Sequence, residues 1–282
     1  MGTLYVVATP IGNLEDITLR ALRVLREVRL IAAEDTRTAR KLLARYDIST
    51  PTTSYFEHNK ALKVPLVLRE LSLGDVALIS EAGMPGLSDP GYELVRAALQ
   101  EGHRIVPVPG PSAIPTALAV SGLPADRFLF LGFLPRRPSE RRALLQSVAE
   151  APWTLVFFEA PHRILESLAD LEAMLGDREI AAARELTKVH EEIWRGKTSG
   201  LRAHLAAGDT RGEFTLVVAG ASVTCEPWPR DRVLQALSEP SCRGLPAREA
   251  ARQVARAAGW KTRDVYDLIR EARECLRPPL AP

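Results

Sequence analysis

The chain has 282 residues, 46% of them hydrophobic, and a formal net charge of +2. That is apolar material for one large or two ordinary domains, and no apolar run approaches the ~18 to 20 residues of a membrane span. Eleven Lys+Arg stand against eight Asp+Glu from Cys225 onward, leaving 26 against 27 before it, which excludes a uniformly basic protein and confines any polyanion surface to the tail or a local patch.

In chain order, Met1-Gly2-Thr3 leads straight into a strand-like run, Leu4–Ala8, with no basic segment of a signal peptide before it. Thr9–Leu14 is the following loop, and Asp16 or Thr18 is placed to cap a helix through Glu27. Strand Leu30–Ala33 ends at Glu34-Asp35-Thr36-Arg37, and a helix runs through Lys41 to Arg45. A short strand over Thr52–Tyr55, a helix over Val64–Leu71, a strand at Val76–Ile79, a helix over Tyr92–Gln100 and a strand at Arg104–Val108 follow. Strand and helix alternate throughout, which predicts a parallel α/β sheet.

Near Gly122 the texture changes. Phe128–Phe133, Trp153–Phe158, Ile180–Arg184 and Glu213–Ala219 read as strands, with helices at Ser139–Glu150 and Ile164–Leu175, a more mixed and hairpin-rich pattern. After Gly220, prolines 227, 229, 240 and 246 punctuate three short helices, Asp231–Leu237, Pro246–Ala257 and one from Thr262 to about Leu276, with Gly259 as a C-terminal cap. Two helices joined by a Gly-containing turn suit a helix-turn-helix, and equally a plain three-helix cap. Cys225, Cys242 and Cys275 sit at no metal spacing and read as free thiols of a cytoplasmic protein. The expected division is 1–121, 122–222 and 228–282.

The stretch with most chemistry is Ser80–Gly91, Ser-Glu-Ala-Gly-Met-Pro-Gly-Leu-Ser-Asp-Pro-Gly, between the strand at Val76–Ile79 and a helix. Its glycines permit close backbone approach to a ligand and its prolines stiffen it. In a parallel sheet, such a loop at a strand's carboxyl end is where ligands bind. No Lys follows the glycines, so it is not a Walker loop. Glu81 and Asp89 suit a neutral or cationic ligand, not a phosphate.

This loop resembles the cofactor loop of the tetrapyrrole methylase superfamily. Together with Thr9–Leu14, Glu34–Arg37, Pro109–Ala113, Gly132–Pro135, Glu159–Arg163 and Arg184–Lys188, it is similar to the RsmI branch, which methylates the ribose 2′-hydroxyl of a cytidine in 16S, small-subunit ribosomal RNA. The resemblance spans about Thr3 to Gly220. It implies two α/β domains with S-adenosylmethionine in the cleft between them, a homodimer, and ribosomal RNA within the small subunit as partner. Cofactor contacts fall on Pro10, Ala82, Gly83, Met84, Leu87, Ser112, Ala113, Phe158 and Glu159. Where the superfamily often has Gly-Asp-Pro, this chain has Gly83-Met84-Pro85, so backbone contacts are expected there.

A ribose hydroxyl, with pKa far above 7, needs a base or a cation that stabilises the forming alkoxide. Candidates are Lys188, as cation or as a base with lowered pKa, with Glu34, Asp89 and Arg184. RNA phosphates would meet Arg136, Arg137, Arg141, Arg142 and Arg163, and bases would stack on Tyr55, Phe56 or Trp194. No spacing demands a metal. The competing readings are a superfamily methylase acting on a tetrapyrrole or other small acceptor, and a non-catalytic, cofactor-responsive RNA-binding protein.

Overall fold

The computed structural model describes residues 2–221, 228–239, 242 and 245–275. Cys225, Pro227 and Pro240, singled out above, and the helix residue Leu276 lie outside them. Residues 1–221 form one compact unit and the tail another.

The first half builds a five-stranded sheet from β1 (Thr3–Val7), β2 (Leu30–Ala33), β3 (Thr52–Ser54), β4 (Val76–Ile79) and β5 (Arg104–Val108), in the order β3-β2-β4-β1-β5. Every pairing is parallel, as a run of strands apolar on both faces requires. The central strand β4 is buried at all four residues. Between these strands run α1 (Leu19–Glu27), α2 (Thr36–Arg45), α3 (Lys60–Leu73) and α4 (Tyr92–Gln100). The Thr18 hydroxyl accepts from Ala21 N–H at 3.1 Å and starts α1. Asp35 does the same for α2, accepting from Arg37 N–H at 2.7 Å. The helix α3 starts four residues before the expected Val64, because a turn at Asn59 initiates it and Pro65 is absorbed inside.

The second half builds a sheet from β6 (Phe128–Phe133), β7 (Thr154–Glu159), β8 (Glu179–Arg184), β9 (Glu192–Lys197) and β10 (Phe214–Val218), in the order β6-β7-β10-β8-β9. Only β6 and β7 pair in parallel; the other pairings are antiparallel. Its helices are α6 (Pro138–Ser147), α7 (Ile164–Leu175) and α8 (Thr198–Ala207). The sequence reading placed no element between β8 and β10; β9 and α8 fill that gap.

The helix α5 (Ala113–Ser121) belongs to the first half in sequence, yet Ile114, Ala117 and Leu118 bury against Val156, Ala181, Ala183 and Val217 of the second sheet. It ends at Gly122, which takes the left-handed conformation (φ 79°) that glycine alone adopts without strain. In the tail, α9 (Arg230–Ser238), α10 (Ala247–Ala258) and α11 (Thr262–Cys275) close a core around Val233, Ala251, Val254 and Val265. Gly259 caps α10 in the left-handed region, and Cys242 is a buried free thiol. Among the described residues no helix is long and apolar enough to cross a membrane.

One charged cluster is sealed into the second half. Arg141 on α6 is 2% exposed and pairs with Asp170 on α7 at 2.6 Å, while Arg142 reaches the same carboxylate at 2.7 Å. Burial pushes the Asp170 carboxyl up, but the bonds from Arg142 and Arg141 outweigh it and hold it below its ordinary value. Removing one partner of a buried pair strands the other charge. Asp170→Ala should therefore cost about 3–5 kcal/mol in denaturant unfolding, and Arg141→Met combined with Asp170→Leu should recover most of it. Because the folded pKa is depressed, the wild-type contribution is complete above the unfolded aspartate value of about 4 and is lost as pH falls through the folded one.

Candidate active site

Strand order decides what meets at the carboxyl edge of the first sheet. β1 lies between β4 and β5, and β4 lies beside β2. The loops after β1, β4 and β5 and the Glu34 turn after β2 are therefore neighbours, which is the ligand-binding position of an open parallel sheet. A buried two-way bridge ties the first two: Thr9 N–H donates to Gly83 O at 2.9 Å and Gly83 N–H donates to Thr9 O at 3.1 Å. Gly83 has φ 80°. From the second half, the ends of β7 and β8 and the start of β10 meet in register, with Phe214 opposite both Glu159 and Arg184.

Between these edges is a cavity of about 630 Å³, within the range of small-molecule sites. Pro10, Ala82, Gly83, Met84, Leu87, Ser112, Ala113, Phe158 and Glu159 all line it, as do Glu34, Asp89 and Lys188. Arg184 does not: it bonds Glu192 (3.3 Å), Asp209 (3.2 Å) and Arg211 O (2.6 Å), bracing the end of β8. The sequence reading missed Thr38, Ile114, Phe133, Leu186, Phe214 and Thr215 on the wall. Phe133 lay within the Gly132–Pro135 motif and Leu186 within Arg184–Lys188, and the others carried no signal except their place at the ends of elements.

Glu159 lines the cavity, but its carboxylate is committed elsewhere. It pairs with Arg163 at 2.5 Å, accepts from Ser167 Oγ at 2.5 Å and from Ala160 N–H at 2.7 Å. Phe158 beside it is fixed by an edge contact with Phe130 and a tilted one with Phe133, at 5.1 and 5.4 Å between ring centres. Ser112 makes no side-chain cap, so the first-turn N–H groups of α5 are left to a ligand.

The electrostatics are acidic on one wall. Glu34 accepts from Glu81 N–H at 3.1 Å, yet burial and the neighbouring Glu81 and Asp35 charges push its carboxyl up. Asp89 is pushed up to about 7, first by burial and then by the Glu34 charge. On the opposite wall burial pulls the Lys188 ammonium down, but bonds to Glu185 (2.9 Å) and Glu213 (3.0 Å) outweigh it and leave its pKa raised. Lys188 is thus a held cation, and the expectation of a lysine base is corrected. Carboxylates for a cationic centre, free amide N–H groups for a carboxylate, and Leu87, Ile114 and Phe158 for a flat apolar group together fit S-adenosylmethionine. Among the described residues no His/Cys/Asp/Glu group could hold a metal.

Two of the expected RNA contacts are withdrawn from the surface: Arg141 is buried and Arg163 is held against Glu159. Arg137 and Arg142 are exposed but paired with Glu140 at 3.1 Å and Asp170 at 2.7 Å, and Arg136 is exposed. Tyr55 is fully buried in the first core and Trp194 lies on β9, stacked on His204, not in a loop. Phe56 remains partly exposed.

Residues 3–202 match the family model for Tetrapyrrole (Corrin/Porphyrin) Methylases. The chain is 45% identical over 276 residues to the ribosomal RNA small subunit methyltransferase I of Halalkalibacterium halodurans, covering 96% of this chain and 95% of that one. It is 49% identical over 221 residues to the protein of the same name from Thermotoga maritima, covering 78% of this chain and 99% of that one. Among solved structures, the methyltransferase CobJ superposes with a TM-score of 0.59 at 20% identity, covering 79% of this chain and 95% of that one. Diphthine synthase superposes with 0.60 at 13% identity, covering 78% and 90%. These two likenesses are of fold.

Asp89 generates a test of the acidic wall. A carboxyl raised in the fold stabilises below its unfolded pKa of about 4, and that contribution is lost as pH rises through about 7. Melting profiles of the wild type should decline between about pH 4 and 7, and Asp89→Asn should flatten the decline and gain about 1–2 kcal/mol at pH 8.

Proposed function

This chain belongs to the tetrapyrrole methylase family, and on that premise we propose that it transfers a methyl group from S-adenosylmethionine to the ribose 2′-hydroxyl of a cytidine in 16S ribosomal RNA, within the small ribosomal subunit. The observation that carries this reading is 45% identity across 96% of the chain to a ribosomal RNA small subunit methyltransferase I. The tetrapyrrole alternative has no comparable support, since its members are matched in fold alone at 20% identity or near it. A purely binding role leaves unexplained why a held cation and two raised carboxylates share one cavity. The work belongs to the cytoplasm, where ribosomal subunits are found. The three-part division at 121/122 and 222/228 is part of the proposal.

The backbone of Ala82, Gly83 and Met84, the start of α5 at Ser112 and Ala113, and the side chains of Pro10, Leu87 and Phe158 hold the donor. Bound there, S-adenosylmethionine supplies an electrophilic methyl group on a sulfonium sulfur. The residues of the chain do the rest. Lys188 faces the acceptor hydroxyl and stabilises charge developing on its oxygen, the electrostatic contribution usually largest in such reactions. Asp89, titrating at about 7, takes the hydroxyl proton, with Glu34 keeping its affinity for that proton high. Arg184 is a positioning residue that holds the β8 end and the Lys188 turn in place.

The exposed apolar stripe of α3 and α4 supports a homodimer. Leu62 is 82% exposed and Tyr92 65%, with Leu66, Leu73 and Leu99 on the same two packed helices.

Labelled methyl transfer to small subunits lacking the modification, with nuclease mapping of the product, should place label on a cytidine ribose. No label despite calorimetric cofactor binding would sink the substrate assignment. Lys188→Met should lower kcat by about 10²–10³ while cofactor affinity holds. Leu62→Glu with Leu66→Glu should convert a dimer to a monomer in light scattering.

A further inference from the structure

A second, shallower cavity of about 910 Å³ adjoins the first, and Gly12, Leu14 and Lys188 line both. Its other walls include Arg45, the last residue of α2, and His190. The helix α2 spans the two: Thr38 in its first turn lines the inner cavity and Arg45 lines the outer basin. Along its exposed face stand Arg37, Lys41 and Arg45, at i, i+4 and i+8. Residues four apart lie on one face, about 6 Å further along the axis at each step. Arg37 is spent on Asp35 at 2.9 Å. Lys41, Arg45 and the neighbouring Arg40 make no ion pair with the described residues, and Glu15 is the one carboxylate among the residues lining the basin.

Resting on the reading above, we propose that the exposed face of α2, through Lys41 and Arg45, together with the outer basin, binds the phosphate backbone of the RNA next to the target nucleotide. The geometry assigns what the paired arginines of α6 and of the turn Pro161–Arg163 cannot supply: cations with no ion pair among the described residues, ending at the border of the donor cavity. A strand lying along α2 with its backbone over Arg45 delivers one ribose past Gly12 to Lys188. The acidic inner wall at Glu34, Glu81 and Asp89 repels the same backbone, so the polyanion is stopped at the rim while the hydroxyl enters.

The test uses the full chain with Lys41→Ala and Arg45→Ala together, both exposed positions outside the donor cavity. Small subunits lacking the modification serve for kinetics, and a single-stranded oligocytidylate for binding across a salt series. KM for subunits should rise at least about 10-fold with cofactor affinity by calorimetry unchanged. The slope of log K against log salt should fall by about 1.4, two phosphates at about 0.7 each. Restoring charge as Arg45→Lys should recover part of the slope, which a packing defect would not allow. A wild-type slope and KM in the double variant would overturn the α2 assignment alone. A wild type that binds cofactor but neither binds nor methylates RNA would overturn the substrate reading and this inference with it.

Discussion

The site depends on three backbones approaching one another more closely than side chains normally allow. Thr9 and Gly83 exchange two hydrogen bonds between the loops after β1 and β4. Three residues on, Gly12 lies under the loop after β8: a Cβ there would stand 2.5 Å from Lys188 Cγ and 2.8 Å from Leu186 O. Asn13 N–H also donates to Thr187 Oγ1 at 3.0 Å, so one short loop clamps to both halves of the unit. Glu185 and Thr187 have φ of 50° and 67°, a conformation that costs non-glycine residues of order 1 kcal/mol or more. Strain of that kind persists only where neighbours over-determine it, and here the neighbours are the Glu191 carboxylate on Thr187 N–H and the Glu213 carbonyl, just before β10, on Glu185 N–H. What the strain secures is the place of Lys188, on the wall shared by two cavities.

Charge is sorted across that wall. The inner side gathers Glu34, Glu81 and Asp89 and has one cation, Lys188, already bonded to two carboxylates. The outer side has Arg45 and His190 against Glu15. A small cationic ligand is drawn inward and a polyanion is kept outside, with no need for a bulk positive charge, which this chain lacks. The crowding of like charges inside also explains the Asp89 carboxyl near 7: taking a carboxylate out of water beside another raises its proton affinity through both effects at once.

The sequence was most legible where local rules and topology agree. Apolar runs named β1, β2, β4 and β5 of the first sheet, Thr18 and Gly259 marked helix ends, and the Gly/Pro-rich stretch after β4 marked the cavity wall. Twelve of the thirteen residues singled out for the site, all but Arg184, line one cavity, because motifs at strand ends converge once strand order is set. It was least legible where a residue's meaning lies in a distant partner. Arg141 and Arg142 looked like an exposed basic patch, but their carboxylate, Asp170, comes from the following helix α7, 29 and 28 residues on. Tyr55 follows a three-residue strand, too short to show its periodicity, and is swallowed by the core. β9 failed for a similar reason: its burial is intermediate to exposed throughout, as befits an edge strand, so no apolar run announces it.

Glu159 shows how a motif residue serves a site without facing it. Its carboxylate forms an ion pair with Arg163 and accepts bonds from Ser167 Oγ and Ala160 N–H, which locks the short turn Pro161–Arg163 between β7 and α7. A locked turn fixes the last residues of β7, and Phe158, one position earlier, faces the opposite side of the strand, where Phe130 and Phe133 hold its ring at the cavity. The acid and the arginine four residues later are thus a clamp, and the aromatic ring between strand and cavity is what the clamp presents. A charged pair at the end of a strand therefore points to the cavity through its neighbour, and the chemistry at such an edge is better sought one residue back from the charge, on the other face.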